Sequence, residues 1–146
     1  MSNEEIEILL VEDNLDDAAL TIMALKKKNL GNKLIHLKDG VEALDFIYGT
    51  GVYEGSRMDF LPKVILLDLK MPRLNGLEVL QKLKSDPQTE AIPIVVLTSS
   101  SEDPDIKAAY KLGANSYIVK PVEFDNFSQT IVDLGMYWVA LNKPPY

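Results

Sequence analysis

The chain has 146 residues, 47% of them hydrophobic and none of them cysteine. That suffices for one domain with a sizeable core and excludes disulfides, thiolate metal sites and cysteine nucleophiles. A balance of 15 basic against 22 acidic residues leaves a net charge of −7, so no basic face for nucleic acid is expected.

The opening MSNEEIEI lacks the positive region of a secretory signal. The longest run of apolar or small residues, Gly135–Leu141, is far short of the ~20 needed to span a bilayer. A cytoplasmic protein with no membrane partner is expected. Short runs rich in Val, Ile and Leu then alternate with amphipathic stretches. The first run, Ile6–Val11, is followed by Asn14, a helix cap with Asp17 in the first turn, and by Leu15, Ala18, Ile22 and Leu25 on one face. Lys33–Leu37 alternates in polarity as an edge strand does. Asp39–Tyr48 carries Val41, Leu44 and Ile47 at helical spacing. Gly49–Leu61, with three glycines, predicts a long surface loop. Lys63–Leu67 is a third strand, Asn75–Lys84 a helix through Leu77, Leu80 and Leu83, and Ile92–Leu97 a fourth strand. Asp103–Leu112 opens with a cap and a proline, Ser116–Val119 is the fifth strand, and the last helix runs roughly from Glu123 to Leu141. Nearly unbroken hydrophobicity marks strands buried on both faces. Right-handed crossovers then give an α/β fold, a doubly wound parallel sheet of five strands with five helices. No repeat or linker divides it, so one domain over 1–146 is expected, with its core at about 6–141.

Ligands of such sheets bind at the carboxyl ends of the strands. The residues there are Glu12 and Asp13 after the first strand, Asp68 after the third, Thr98 after the fourth and Lys120 after the fifth. Each alone is an ordinary loop residue; together they form a site. Three crowded carboxylates repel, and a divalent cation relieves that. Oxygen ligands without His or Cys select a hard ion, and Mg²⁺ suits a site that also receives a phosphoryl group. Asp68 is the nucleophile such a site would offer, with Lys120 neutralising charge on the incoming group and Thr98 bonding one of its oxygens.

LLVEDN at Leu9–Asn14, LLDLKMPRLNG at Leu66–Gly76, VVLTSS at Val95–Ser100, GAN at Gly113–Asn115 and YIVKP at Tyr117–Pro121 resemble the receiver domain of two-component response regulators. The resemblance covers about residues 6 to 141. It implies the flavodoxin-like strand order 2-1-3-4-5 and a switch rather than an enzyme. Asp68 resembles the phosphoacceptor, with Mg²⁺ held by Asp13, Glu12, Asp68 and the backbone carbonyl of Lys70. Thr98 and Lys120 resemble the switch hydroxyl and the phosphate-pairing lysine, and Tyr117 the aromatic that follows Thr98. Lys120-Pro121 is expected to be cis, as is usual in the family. The donor is expected to be a separate sensor histidine kinase, because the single histidine, His36, lies inside a strand. YGTGVYEG in the long loop and YWVALNKPP at the end resemble the response regulators paired with bacterial phytochromes.

Two enzyme and cofactor classes on the same architecture fit less well. A haloacid-dehalogenase-type phosphatase needs a second Asp where Lys70 stands, and a flavodoxin needs a phosphate loop where Glu12-Asp13-Asn14 stands. A phosphorylation-independent module of this family generally lacks one of the acidic pair, the Asp or the Lys, all present here. With no output domain expected, the output is assigned to a surface of the domain. In the last helix Phe124, Phe127, Ile131, Leu134, Trp138 and Leu141 form a core-facing seam. Val132, Met136 and Val139, with Tyr137 nearby, form a second stripe, which predicts a homodimer contact.

Overall fold

Alternate residues of one strand face opposite ways, so a strand buried on both sides must be apolar at every position. The computed structural model, which describes residues 6–55 and 61–146, shows this in β1 (Ile8–Val11), β3 (Val64–Leu67) and β4 (Ile94–Thr98), buried throughout. With β2 (Leu34–Leu37) and β5 (Ser116–Val119) they form one parallel sheet in the order β2-β1-β3-β4-β5. Leu9, Val11, Ile65, Leu67, Ile94 and Val96 pack on one face beneath α2 (Gly40–Tyr48), α3 (Gly76–Ser85) and Ala109 of α4 (Asp103–Lys111). Ile8, Leu10, Val64, Leu66, Val95 and Leu97 pack on the other beneath α1 (Leu15–Lys27) and α5 (Phe124–Gly135).

Local chemistry sets the helix starts. The Asn14 side chain accepts from the Asp17 N–H at 3.0 Å, and Asp39 caps α2 through the Glu42 N–H at 2.9 Å. Asn75 and Glu78 form a reciprocal capping box at the head of α3. α4 starts one residue earlier than the Asp103-Pro104 pair suggests, with Glu102 in the N-cap position but making no side-chain capping bond, so the proline lies inside the first turn. Of the expected long loop, 49–55 is described and contains a 3₁₀ turn, Gly51–Tyr53, with Tyr53 edge-on to Phe46; 56–60 lie outside the described residues.

Three expectations are corrected. Leu15, placed on the core face of α1, is exposed; it is the first helical residue, where Cβ tilts toward the helix N-terminus and away from the body of the helix. No cis peptide occurs among the described residues, so Lys120-Pro121 is trans. The Lys120 N–H is held by the Thr98 carbonyl at 2.7 Å, and a trans bond already carries its side chain to the site. The third correction concerns the last helix. It changes at Met136 to a π-helical turn, Met136–Leu141, whose wider spacing shifts the phase of the side chains. Leu141, assigned to the seam, is therefore 67% exposed; Phe124, also assigned to it, is 53% exposed as the first residue of α5, whereas Val139, at 7%, and Val132 pack on the core. Of the proposed stripe only Met136 and Tyr137 remain on the surface. The π turn is tied to the sheet by Lys63, whose ammonium donates to the Val139 carbonyl at 3.2 Å and pairs with Glu7 at 2.9 Å.

Candidate functional site

The adjacent carboxyl ends of β1, β3, β4 and β5 bring together the residues that the sequence placed there. Glu12, Asp13 and Asp68 each contribute a carboxylate oxygen to one group, all within 4.8 Å of one another. Lys120 reaches the group from β5. Its ammonium lies 2.6 Å from Glu12, 2.9 Å from Asp17 and 3.9 Å from Asp68, and its side chain is only 8% exposed.

Backbone geometry sets these positions. The Asp68 N–H donates to the Val11 carbonyl at 3.0 Å, locking the acceptor strand to β1. Asp68 is followed by a loop that folds under α3, where a Cβ on Gly76 would stand 2.2 Å from the Asp68 carbonyl oxygen. His36 closes the other side. Its Nε2 lies 2.8 Å from the Glu12 carbonyl, so the histidine braces the β1 turn from β2, the structural role expected of it.

Charge crowding is visible in the titration of these groups. Burial is the main force pushing Glu12 up from 4.5 to about 7; the Lys120 hydrogen bond opposes it and the Asp68 carboxylate adds to it. Burial disfavours the Lys120 ammonium, but its hydrogen bonds to Glu12 and Asp17 outweigh that and hold its pKa above the ordinary lysine value.

Thr98 is fully buried at the end of β4, and its hydroxyl accepts a long 3.5 Å contact from the Ser100 N–H. At that length the bond is weak, so the hydroxyl turns at little expense. Tyr117 donates through its hydroxyl to the Ser100 carbonyl at 2.9 Å. Asp105 in the first turn of α4 accepts from the Ser100 hydroxyl at 2.5 Å and pairs with Lys70 at 3.4 Å. That Ser100 bond is the largest influence lowering the Asp105 pKa. The Lys70 side chain thus points to α4, as expected if only its backbone served the acidic group.

A family model described as the response regulator receiver domain matches residues 8–132. The chain belongs to that family. Response regulator Rcp1 of Synechocystis sp. is 37% identical over 138 residues, covering 94% of this chain and 92% of Rcp1. The Mn(2+)-bound form of Rcp1 superposes with a TM-score of 0.89 at 35% identity, over 97% of this chain and 100% of that one. The phosphorylated cyanobacterial phytochrome response regulator RcpA gives 0.88, also at 35% identity, over 98% and 100%. The bacteriophytochrome response regulator AtBRR is 48% identical over 96% of this chain and 100% of its own, with a TM-score of 0.73.

The protein is therefore a receiver of two-component signalling, a switch with the sheet order its family requires. Among the described residues no helix is long and apolar enough to cross a membrane. Sequence reading missed two contributors to the receiver's site. Asp17 was read only as a helix first-turn charge, and Asp105 was not singled out. The signal for Asp17 was its spacing, four residues after Asp13 and one turn into a helix that starts at the site.

Proposed function

We propose that Asp68 accepts a phosphoryl group from the histidine of a sensor kinase, of the phytochrome type, with Mg²⁺ held by Glu12, Asp13, Asp68 and the Lys70 carbonyl. The observation that carries this is the buried Asp68 carboxylate within one 4.8 Å acidic group, with an ammonium 3.9 Å away. The donor set suits the ion: every ligand is an oxygen, and three carboxylates lie together with one ammonium beside them. Mg²⁺, when bound, neutralises charge on the transferring group. An Asp68 oxygen forms the new O–P bond as the donor's N–P bond breaks and the electron pair leaves on the imidazole nitrogen. The Thr98 hydroxyl then turns to a phosphoryl oxygen, and Lys120 pairs with another. Tyr117 and the Ser100 carbonyl it holds follow Thr98, which moves the start of α4.

The test is intact mass after incubation with acetyl phosphate and Mg²⁺, with beryllofluoride binding as a second probe. The wild type is expected to gain ~80 Da, one phosphoryl group, and Asp68→Asn none. Absence of both the mass gain and beryllofluoride binding in the wild type would mean that the site is inactive and that the domain works as a phosphorylation-independent module.

The phytochrome pairing is supported by the likeness to RcpA and AtBRR along the whole chain. Output is assigned to a surface of the receiver itself, working in the cytoplasm on protein partners. Met136 and Tyr137, 44% and 51% exposed and flanking the Trp138 packed on the core, are the remaining candidates for a homodimer contact. Sedimentation is expected to show a dimer at tens of micromolar that Met136→Glu converts to monomer. A wild-type monomer with and without beryllofluoride would sink the dimer.

A further inference from the structure

Lys120 has three N–H donors, and two of its acceptors are within hydrogen-bond distance: Glu12 at 2.6 Å and Asp17 at 2.9 Å. Asp68, at 3.9 Å, is beyond it. Glu12 belongs to the acidic group around Asp68, but Asp17 does not; it comes from the first turn of α1, with its side chain 31% exposed. The ammonium is thus drawn toward a carboxylate outside the reacting group. We infer that Asp17 is a positioning residue that restrains Lys120 in the unphosphorylated receiver, so that an oxygen arriving on Asp68 must compete with Asp17 for the ammonium. The inference rests on the reading of Asp68 as acceptor and assigns a resting position to its lysine. Asp17 itself is well placed for this. Its backbone is fixed at both ends, with the N–H capped by Asn14 at 3.0 Å and the carbonyl accepting from the Thr21 hydroxyl at 2.8 Å, so its carboxylate has a stable base from which to hold. The pair spans 103 residues of sequence and links α1 to the end of β5.

The consequence is a bias against the phosphorylated state that one substitution removes. Beryllofluoride binding in the presence of Mg²⁺, followed by calorimetry or fluorine resonance, measures it. Asp17→Asn keeps the size of the side chain and discharges it; its affinity is expected to rise about three- to tenfold over wild type, and that of Asp17→Ala at least as much. General loss of negative charge would also favour an anion, so Asp16→Asn is the control. Asp16 is exposed in the same turn and is not among the carboxylates around Lys120. It is expected to move the affinity by less than about twofold. Damage to the fold does not tighten binding, so a gain separates this role from a structural one. Unchanged or weaker binding in both Asp17 variants, or an equal gain in Asp16→Asn, would overturn the inference while leaving Asp68 as acceptor. Failure of the wild type to bind would instead overturn the acceptor reading, and the inference with it.

Discussion

Gly76→Ala is expected to destabilise the receiver by about 3 kcal/mol and to abolish beryllofluoride binding. The new methyl carbon would lie 2.2 Å from the Asp68 carbonyl oxygen and 2.7 Å from the Leu69 Cα. Both are backbone atoms, so no rotamer change relieves the overlap. Relief requires lifting α3 away from the end of β3, which breaks the 2.9 Å bond from the Gly76 N–H to the Leu69 carbonyl and displaces the acceptor. Gly135→Ala is the contrast. Its Cβ would meet the Leu25 Cδ2 at 2.6 Å and the Leu30 Cδ1 at 3.1 Å, the far ends of flexible side chains. For a domain of this size the first substitution corresponds to a fall in Tm of roughly 10 °C, and the second to clearly less. A Gly76→Ala protein melting within about 3 °C of wild type would show that the α3–β3 contact has slack that the geometry denies.

The second large effect is on pH and runs opposite to the usual carboxylate. Glu12 is raised in the folded protein, from 4.5 to about 7, chiefly by burial. Between those values the native chain holds a proton that the unfolded chain has released. Metal-free stability from this group is therefore full below pH 4.5 and is lost as pH rises through about 7. The loss amounts to about 3 kcal/mol. Glu12→Gln, neutral at every pH, is expected to match wild type near pH 4.5. At pH 8 it is expected to melt roughly 5–10 °C higher in the absence of metal. Added Mg²⁺ should stabilise wild type more than the variant and narrow the gap. Equal melting of the two proteins across this range would show that Lys120 already neutralises Glu12.

Most of the site was legible because its chemistry sits where unbroken apolar runs stop. Glu12 and Asp68 follow strands whose every residue is apolar, Thr98 ends one that is apolar up to it, Lys120 follows the mixed strand Ser116–Val119, and parallel strands put all those ends on one rim. What the sequence hid is geometry that periodicity does not encode. Val132 and Val139 are seven apart and look like one stripe of a straight α-helix. Both in fact pack on the core, and the π turn from Met136 shows instead at Leu141, which faces water although it lies seven residues after the buried Leu134. Leu15 satisfies the helical spacing of α1 but sits at its very first position and is exposed. The Lys120-Pro121 peptide was expected from family habit rather than from any physical requirement of these residues, and the structure has it trans. Asp17 was legible only as a charge favourable to a helix dipole; its partner lies in the last strand, and nothing local announces a contact over that distance.

That distance has a consequence during synthesis. The acidic pair and Asp68 leave the ribosome well before β5, yet the ammonium that completes the site is the first residue beyond β5. A nascent chain with four strands has an acceptor and the means to hold a cation but no lysine to steady an incoming phosphoryl group. Because β5 pairs in the sheet with β4 alone, at the edge, completion of the charge balance coincides with completion of the sheet.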